Sequence, residues 1–300
     1  MTKRRVELPE PTAETYETYV ATVRDRLRSD EPLGDVVQEV LVDLNGDRER
    51  FERWRSGGTV ATAEATRLAN YHPDNAALES EWYAEKDEAA FARSKPLQWL
   101  WRQFDRTPMA VNVTFGLAFR QMLAAELFAE AGDDLRIFRG VTMSYGHNIT
   151  VGDNTVIHDG VHLDDRGELR IGDRVSISEG VHVYTHDHDL VDQTSVTNYR
   201  TIIEDDVRLT YDAMVRAGVR IGENALVGAK SVVQADVPAH HVAVGSPARS
   251  VRIKPGWESV ARGLEADAPG DRADRRLETP IADDIEEFDE FQRDLEPPDA

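Results

Sequence analysis

An aliphatic residue recurs every six positions through the middle of the chain. The register breaks twice, with two extra residues after Leu163 and a spacing of twenty residues between Val183 and Ile203. The twelve positions are Val151, Ile157, Leu163, Ile171, Ile177, Val183, Ile203, Leu209, Val215, Ile221, Val227 and Val233. A fixed period that is kept over so many positions indicates a structural repeat rather than a chance distribution of aliphatic residues.

The repeat predicts a parallel β-helix. Several aliphatic positions open a turn tetrad, VGDN, IGDR, IEDD or IGEN, in which Gly, Asp and Asn tolerate tight corners. Three six-residue units make one coil of three short strands, each with one aliphatic side chain pointing inward, and the coils bury their core by stacking. An ordinary β-sandwich would instead show alternating residues, hairpin signals and irregular spacing.

The repeat divides the chain into three parts. Residues 1–132 are predicted to be a helical N-terminal region, because apolar residues such as Tyr16, Val20, Val23 and Leu27 follow helical spacing. Residues 133–254 are predicted to form the β-helix domain. Residues 255–300 are predicted to be an acidic, flexible tail, since ten acidic residues, one basic residue and three prolines follow Leu277. The predicted fold class is mainly β.

Composition limits the chemistry and the partners. The chain has no cysteine, which excludes disulfides, thiolate metal sites and a cysteine acyl-enzyme. A net charge of −21 argues against nucleic acid or an anionic membrane as a partner. No apolar run reaches the length of a membrane span, so we expect a soluble, cytoplasmic protein. The acidic excess also suggests a salt-adapted, halophilic source.

The second break in the repeat begins with YTHDHD, which places His186 and His188 two residues apart. About fourteen residues leave the repeat here, and a loop extruded from a regular scaffold is a natural position for functional side chains. A neutral imidazole can act as a general base near pH 7, and a carboxylate from Asp164, Asp187 or Asp189 would orient its ring.

These motifs together resemble the hexapeptide-repeat O-acetyltransferases, closest to the maltose and galactoside acetyltransferase group. The resemblance spans about Phe115 to Lys254 and is carried by the repeat, the YGHN entry to the first coil, the histidine-opened loop and the closing VGSPAR. It implies a left-handed β-helix, an exception to the usual right-handed crossover. It also implies an acetyl-CoA-dependent O-acetyltransferase that acts on a sugar or similar hydroxylated acceptor by direct transfer, with no metal and as a homotrimer.

The resemblance also implies roles for particular residues. The catalytic base of the family lies seven residues after a coil valine, and this count from Val181 reaches His188, with His186 as the second candidate. The implied acceptor-site residues are Tyr145, Asn148, Asp159 and Asp164. The implied coenzyme-binding residues are Arg208, Ala229, Lys230, Gly245, Ser246, Pro247 and Arg249.

The chain departs from the family pattern at both sites. Arg208, Leu209 and Thr210 stand where the group has Trp-Ile-Gly, Lys230 replaces a glycine, and a Thr-Lys pair becomes Gln-Ala at 234–235. Asp159 occupies the position of an acceptor-site Asn. These changes leave the acyl group and the acceptor open, while Arg208 and Lys230 add positive charge that suits coenzyme phosphates.

Two other functions fit parts of the sequence. His162 and His182 precede inward aliphatic residues on adjacent coils, so both point outward and, with His158, His186 or a neighbouring subunit, could form a zinc site like that of γ-class carbonic anhydrases. The histidine spacing of that family is not reproduced, and VGSPAR is then unexplained. A non-catalytic scaffold, in which the N-terminal helices bind a partner, is the third possibility.

Overall fold

The computed structural model describes residues 6–191, 195–264 and 272–281. The N-terminal part contains six α-helices. Their bounds are α1 Glu10–Leu27, α2 Leu33–Asn45, α3 Arg48–Arg55, α4 Thr62–Ala69, α5 Glu88–Phe104 and α6 Val113–Leu127. Short 3-10 helices cover Pro73–Asn75, Glu79–Trp82 and Pro108–Val111, and a fourth covers Arg272–Arg275 near the C-terminus.

The strands that follow are mostly two residues long. In chain order they are β1 Glu130–Ala131, β2 Arg136–Ile137, β3 Thr142–Met143, β4 Ile149–Val151, β5 Val156–Ile157, β6 His162–Leu163, β7 Glu168–Ile171, β8 Ser176–Ile177, β9 His182–Val183, β10 His186–His188, β11 Val196–Ile203, β12 Arg208–Leu209, β13 Met214–Val215, β14 Arg220–Ile221, β15 Leu226–Val227, β16 Val232–Val233, β17 His241–Gly245, β18 Ala248–Ile253 and β19 Arg276–Leu277.

The strands form the three faces of a triangular prism. Face 1 contains β1, β4, β7, β11 and β14; face 2 contains β2, β5, β8, β12, β15 and β17; face 3 contains β3, β6, β9, β13 and β16. Neighbouring strands within these faces are parallel, as in the pairing of Ile171 with Ile203. Six strands stack in face 2, so the prism has about six coils, and β18 closes it by returning antiparallel to β17.

The periodic aliphatic residues fill the prism. All twelve predicted positions are buried. Aspartates at the corners connect neighbouring coils. Asp153 Oδ1 accepts a hydrogen bond of 2.7 Å from the Asp133 N–H, and Asp173 Oδ1 accepts one of 2.8 Å from the Asp153 N–H. A Cβ on Gly152 would lie 2.2 Å from Asp173 Oδ1, so this close approach of two coils requires glycine.

The helices pack on the first coils, and their buried side chains belong to the same hydrophobic cluster as the prism interior. Trp101 Nε1 donates a hydrogen bond of 2.9 Å to the carbonyl oxygen of Val141 in the first coil. The helical segments therefore lie where the sequence predicted them, although the division at residue 132 stays a prediction.

The long interruption is a β-hairpin. β10 pairs antiparallel with the start of β11, which places His186 opposite Asn198 and His188 opposite Val196. We predicted only a loop; the strands form because backbone N–H and C=O groups that leave the prism need new partners. Residues 192–194 lie outside the described part of the chain. We call residues 184–201 the histidine hairpin.

Part of the predicted tail is also ordered against this hairpin. In residues 272–281, which we call the C-terminal strap, β19 pairs antiparallel with β11. Farther along, Ile281 forms an antiparallel bridge with Glu85 of the helical region. Residues 265–271 and 282–300 of the predicted tail lie outside the described residues, so the flexible character assigned to them stays a prediction.

Candidate active site

The candidate site lies at the corner between face 3 and face 1, which we call the 3/1 corner. This corner is longer in the first two coils, where SYGHN follows Met143 and DDRG follows Leu163. The fully buried Asp165 holds the two corners together, since Oδ1 accepts the Tyr145 N–H at 2.7 Å and Oδ2 the Asn148 N–H at 3.2 Å. Burial raises the pKa of Asp165 to about 7, although these backbone N–H groups favour its ionised form.

The second aspartate of this corner holds a histidine. Asp164 is buried, and its Oδ2 lies 2.7 Å from Nδ1 of His186. Asp164 also accepts hydrogen bonds from the Ser144 hydroxyl at 2.9 Å and the Thr185 N–H at 2.8 Å. Burial alone would raise the pKa of Asp164, but the hydrogen bond and charge of His186 and the other donors hold it well below its usual range.

The Asp164 contact determines how His186 is presented. An ionised carboxylate can only accept a hydrogen bond, so Nδ1 of His186 carries a proton. The other ring nitrogen, Nε2, is then available to a ligand. A buried carboxylate on one nitrogen of an imidazole that orients the other nitrogen is the arrangement by which proteins position a histidine base.

His188 is the outer neighbour of His186. The two rings are 5.3 Å apart between centroids, and His188 is exposed. Residues two apart on a strand point to the same side, while Asp187 points away and pairs with Arg216 at 3.0 Å and with Arg272 of the strap. Both histidines therefore face one side of the hairpin and the ion pairs face the other.

A cavity of about 230 Å³ opens beside His186. Its walls come from three parts of the chain: the helical region, the corners of the first two coils, and the start of the histidine hairpin. The lining residues are Glu79, Ser80, Tyr83, Arg102, Met143, Ser144, His162, Asp164, Arg166, Tyr184 and His186. A larger cavity of about 590 Å³ lies against face 1, but its histidine, His240, is stacked on Trp257. We therefore place the site at the smaller cavity.

The helical wall of the cavity had no signal in the sequence. Tyr83 donates a hydrogen bond of 3.0 Å to Glu79, and burial raises the pKa of Tyr83 to about 12. The guanidinium of Arg166 lies 4.2 Å from the centre of the Tyr83 ring and pairs with Glu85. The two contacts of Arg166 join residues about eighty positions apart in the chain, which is why no local motif reveals them.

The predicted acceptor-site residues do not all reach this cavity. Asp164 lines it. Tyr145 is fully buried, and its hydroxyl donates to the carbonyl oxygen of Glu85 at 2.9 Å. Asn148 donates from Nδ2 to the carbonyl oxygen of Asp165 at 3.0 Å, and Asp159 is exposed at the corner between faces 2 and 3. Tyr145 and Asn148 therefore support the corner rather than line the cavity.

The predicted coenzyme residues gather elsewhere. They lie on face 2 and on the corner between faces 2 and 3, which we call the 2/3 corner, in the later coils. Lys230 sits on that corner with a left-handed φ of 58°, and the turn at Gly245 stacks on it through a 3.1 Å hydrogen bond from the Gly245 N–H to Ser231 Oγ. The set is Arg208, Ala229, Lys230, Gly245, Ser246, Pro247 and Arg249. Within one chain, face 3 separates this set from the histidine hairpin.

The alternative zinc site is only partly assembled. The rings of His162 and His182 lie on adjacent coils with centroids 5.7 Å apart, tilted by 50° to each other. His158 lies on the 2/3 corner, stacked on Phe138, and Nδ1 of His186 is bonded to Asp164. Over residues 6–191, 195–264 and 272–281, no three His, Asp or Glu side chains form a group that could hold a metal ion.

Comparison with known proteins decides the family. No family model matches the chain. It is 31% identical to the galactoside O-acetyltransferase of Escherichia coli K12 over 137 residues, which is 44% of this chain and 68% of that protein. The chain belongs to the hexapeptide-repeat acetyltransferases. The predicted family, its maltose and galactoside group and the acyltransferase class are thereby confirmed.

A solved structure with a TM-score above 0.5 agrees with the fold of this acetyltransferase. A maltose O-acetyltransferase from Clostridium difficile 630 is 28% identical, with a TM-score of 0.51, over 56% of this chain and 89% of that one. A hexapeptide-repeat acetyltransferase from Vibrio cholerae, solved with acetyl-coenzyme A, is 28% identical over 55% of this chain and 87% of that one, with a TM-score of 0.48. The predicted left-handed β-helix with N-terminal helices is confirmed.

The comparisons cover only part of the chain. The chain covers 15% of the length of one curated relative, the bifunctional protein GlmU of Rubrobacter xylanophilus, and 68% of the galactoside O-acetyltransferase. None of the helices in the described residues is long and apolar enough to cross a membrane.

Proposed function

We propose that this acetyltransferase transfers an acetyl group from acetyl-CoA to a hydroxyl of a sugar or a similar small acceptor. The observation that carries the proposal is the His186–Asp164 pair at a cavity of about 230 Å³, with His188 next to it. Coenzyme-sized ligands need larger sites, of roughly 300–1,000 Å³. The acceptor then sits in the cavity, and the thioester reaches it from outside.

The histidines supply general base catalysis. A hydroxyl is a weak nucleophile at neutral pH, so an imidazole takes its proton as the oxygen attacks the thioester carbonyl carbon. The carbon–sulfur bond breaks, and the imidazolium returns the proton to the departing thiolate. An acetyl ester and free coenzyme A result, without a covalent enzyme intermediate.

We assign the base to His188 and a positioning role to His186. The resemblance to the family favours His188, and its exposed ring lies where a thioester from outside can meet the acceptor. His186 is held by Asp164 in the wall of the cavity, where it orients the acceptor and supports the neighbouring imidazole. If His186 is the base instead, His186→Ala rather than His188→Ala loses most of the activity.

The location of the coenzyme residues supports a homotrimer. The histidines follow face 3 at the 3/1 corner, whereas Lys230 and Gly245 lie at the 2/3 corner of later coils. Six residues per face at about 3.3 Å each separate these corners by up to about 20 Å. In a cyclic assembly the 2/3 corner of one chain can approach the histidine hairpin of the next, so that two chains complete each site.

Single histidine variants test the assignment. We expect His188→Ala to lower kcat/KM for acetyl transfer by about 10²–10⁴-fold, the usual loss of a general base. His186→Ala should lower it less and raise KM for the acceptor. His72→Ala, in the helical region, is the control and should retain activity. Activity of His188→Ala within about tenfold of the wild-type protein contradicts the assignment.

We propose a salt-rich cytoplasm as the working environment. A net charge of −21 repels itself at low ionic strength, and salt screens that repulsion. The melting temperature should rise between about 0.1 M and about 1 M KCl, over which the screening length falls from about 10 Å to about 3 Å. A melting temperature that falls over this range contradicts the proposal.

A further inference from the structure

The helical wall and a coil corner of the acceptor cavity each contain a polar group that has no hydrogen-bond partner among the described residues. Ser80 is 1% exposed, and in the described part of the chain its hydroxyl oxygen has no hydrogen-bond partner. Nε of the buried Arg166 is also without a partner among the described residues. Both residues line the same cavity as His186. Buried polar groups are normally hydrogen-bonded, so two such atoms in one cavity point to a ligand.

Arg102 adds to this wall a positive charge that has no direct ion pair among the described residues. Its Nη2 donates a hydrogen bond of 3.2 Å to the carbonyl oxygen of Met143, but none of the described carboxylates lies within 4 Å of its guanidinium. The side chain is half-buried, and burial lowers the pKa of Arg102. The charge of Glu79 stabilises the guanidinium only at longer range, so an anion in direct contact would stabilise this partly desolvated cation further.

The carboxylates around the cavity are already engaged. Asp164 bonds to His186, and Glu85, just behind the wall, pairs with Arg166. Glu79 accepts the hydroxyl of Tyr83 and is exposed to solvent. Of the two arginines among the described residues that line the cavity, Arg166 is therefore ion-paired, whereas Arg102 has no carboxylate in direct contact and senses the charge of Glu79 only at longer range.

We propose that the acceptor carries an anionic group in addition to the hydroxyl that is acetylated, and that Arg102 binds this group with Ser80 as a second donor. A guanidinium offers two parallel N–H groups that match a carboxylate or a phosphate. The small cavity restricts the acceptor to about the size of one sugar. This inference rests on the proposed function and names its acceptor class as an acidic sugar rather than a neutral one.

Competing acceptors test the proposal. The probes are glucuronate and glucose 6-phosphate, which distinguish a carboxylate from a phosphate, and glucose as the neutral counterpart. We expect the wild-type protein to prefer one charged probe over glucose by at least about tenfold in kcat/KM, because hydrogen bonds to charged groups are the stronger ones. Equal kcat/KM values for all three overturn the proposal.

Variants connect the preference to Arg102. Arg102→Ala should reduce the preference by about 10- to 100-fold through KM, Arg102→Lys should restore part of it, and Arg93→Ala, at an exposed position of the same helix, should leave it unchanged. A preference that survives Arg102→Ala overturns the assignment.

Binding gives a readout that does not depend on turnover. Calorimetric titration of His188→Ala with each probe should show the same preference for the charged sugars even if acetyl transfer is absent. Equal affinities for the charged and neutral probes in this titration overturn the proposal. If the charged probes bind more tightly but the wild-type protein transfers no acetyl group to any of them, only the proposed function is contradicted.

Discussion

At the residue scale, the site depends on two neighbouring aspartates with opposite properties. Asp164 and Asp165 are both buried, but Asp164 bonds to His186 and its pKa is lowered, whereas burial raises the pKa of Asp165 to about 7. The difference follows from their partners, since an imidazole can carry a positive charge and backbone N–H groups cannot. Asp164 orients the histidine, and Asp165 shapes the corner that holds the cavity.

The lowered pKa of Asp164 predicts a pH dependence. Its folded pKa lies below the unfolded value of about 3.9, so its contribution to stability is complete above that value and is lost as the pH falls through the folded pKa. In urea unfolding, the wild-type protein should exceed Asp164→Asn in free energy of unfolding by a constant amount from about pH 5 upward. The difference should shrink below about pH 4.

The same variant should lower kcat/KM by about 10–100-fold, the usual effect of removing a group that orients an active-site histidine. Asp30→Asn, an exposed aspartate in the helical region, is the control for both measurements. A stability difference that already declines between about pH 7 and pH 5 would show that Asp164 is not held ionised by His186.

At the element scale, the histidine hairpin is supported on both sides. Asp164 holds its inner face, and the C-terminal strap holds the outer face through β19 and Arg272. Arg272 pairs with Asp187, donates to the carbonyl oxygen of Ala217 at 3.1 Å and lies 4.6 Å from the centre of the Tyr199 ring. The strap therefore links the hairpin to the later coils.

Arg272→Ala should weaken this support. We expect kcat to fall by about 3–30-fold with a smaller change in KM, since a displaced base affects the reaction more than acceptor binding. Arg24→Ala, whose side chain contacts Asp25 on an exposed helix surface, is the matched control. A variant with unchanged kcat would show that the hairpin keeps its position without Arg272.

At the scale of the whole molecule, the proposed site needs two chains. We expect chains carrying His188→Ala and chains carrying Arg249→Glu to be inactive alone. Mixed trimers made by co-expression should recover activity, because random assembly pairs an intact histidine with an intact coenzyme corner in about a quarter of the sites. No recovery in mixed assemblies would place both sets of residues in one chain.

The prism could be predicted from the local sequence pattern, whereas the cavity wall could not, because it is formed by residues far apart in the chain. Val151, Ile157 and Leu163 repeat at fixed spacing because each coil presents the same corner and the same inward position, so their burial follows from the sequence. His186 was predicted because it opens the long interruption of that repeat, and Asp164 because the family resemblance implied it and a carboxylate was needed to orient the histidine. The contribution of Ser80 and Arg102 was not predictable, because their position depends on how separate helices pack against the first coils.

The most direct test of the central claim is a calorimetric titration of chelator-treated protein with acetyl-CoA at high salt. The account predicts saturable binding of one acetyl-CoA per chain without added metal, weakened by Arg249→Glu and retained in His188→Ala. The absence of acetyl-CoA binding by the folded protein would contradict acetyl transfer as its function.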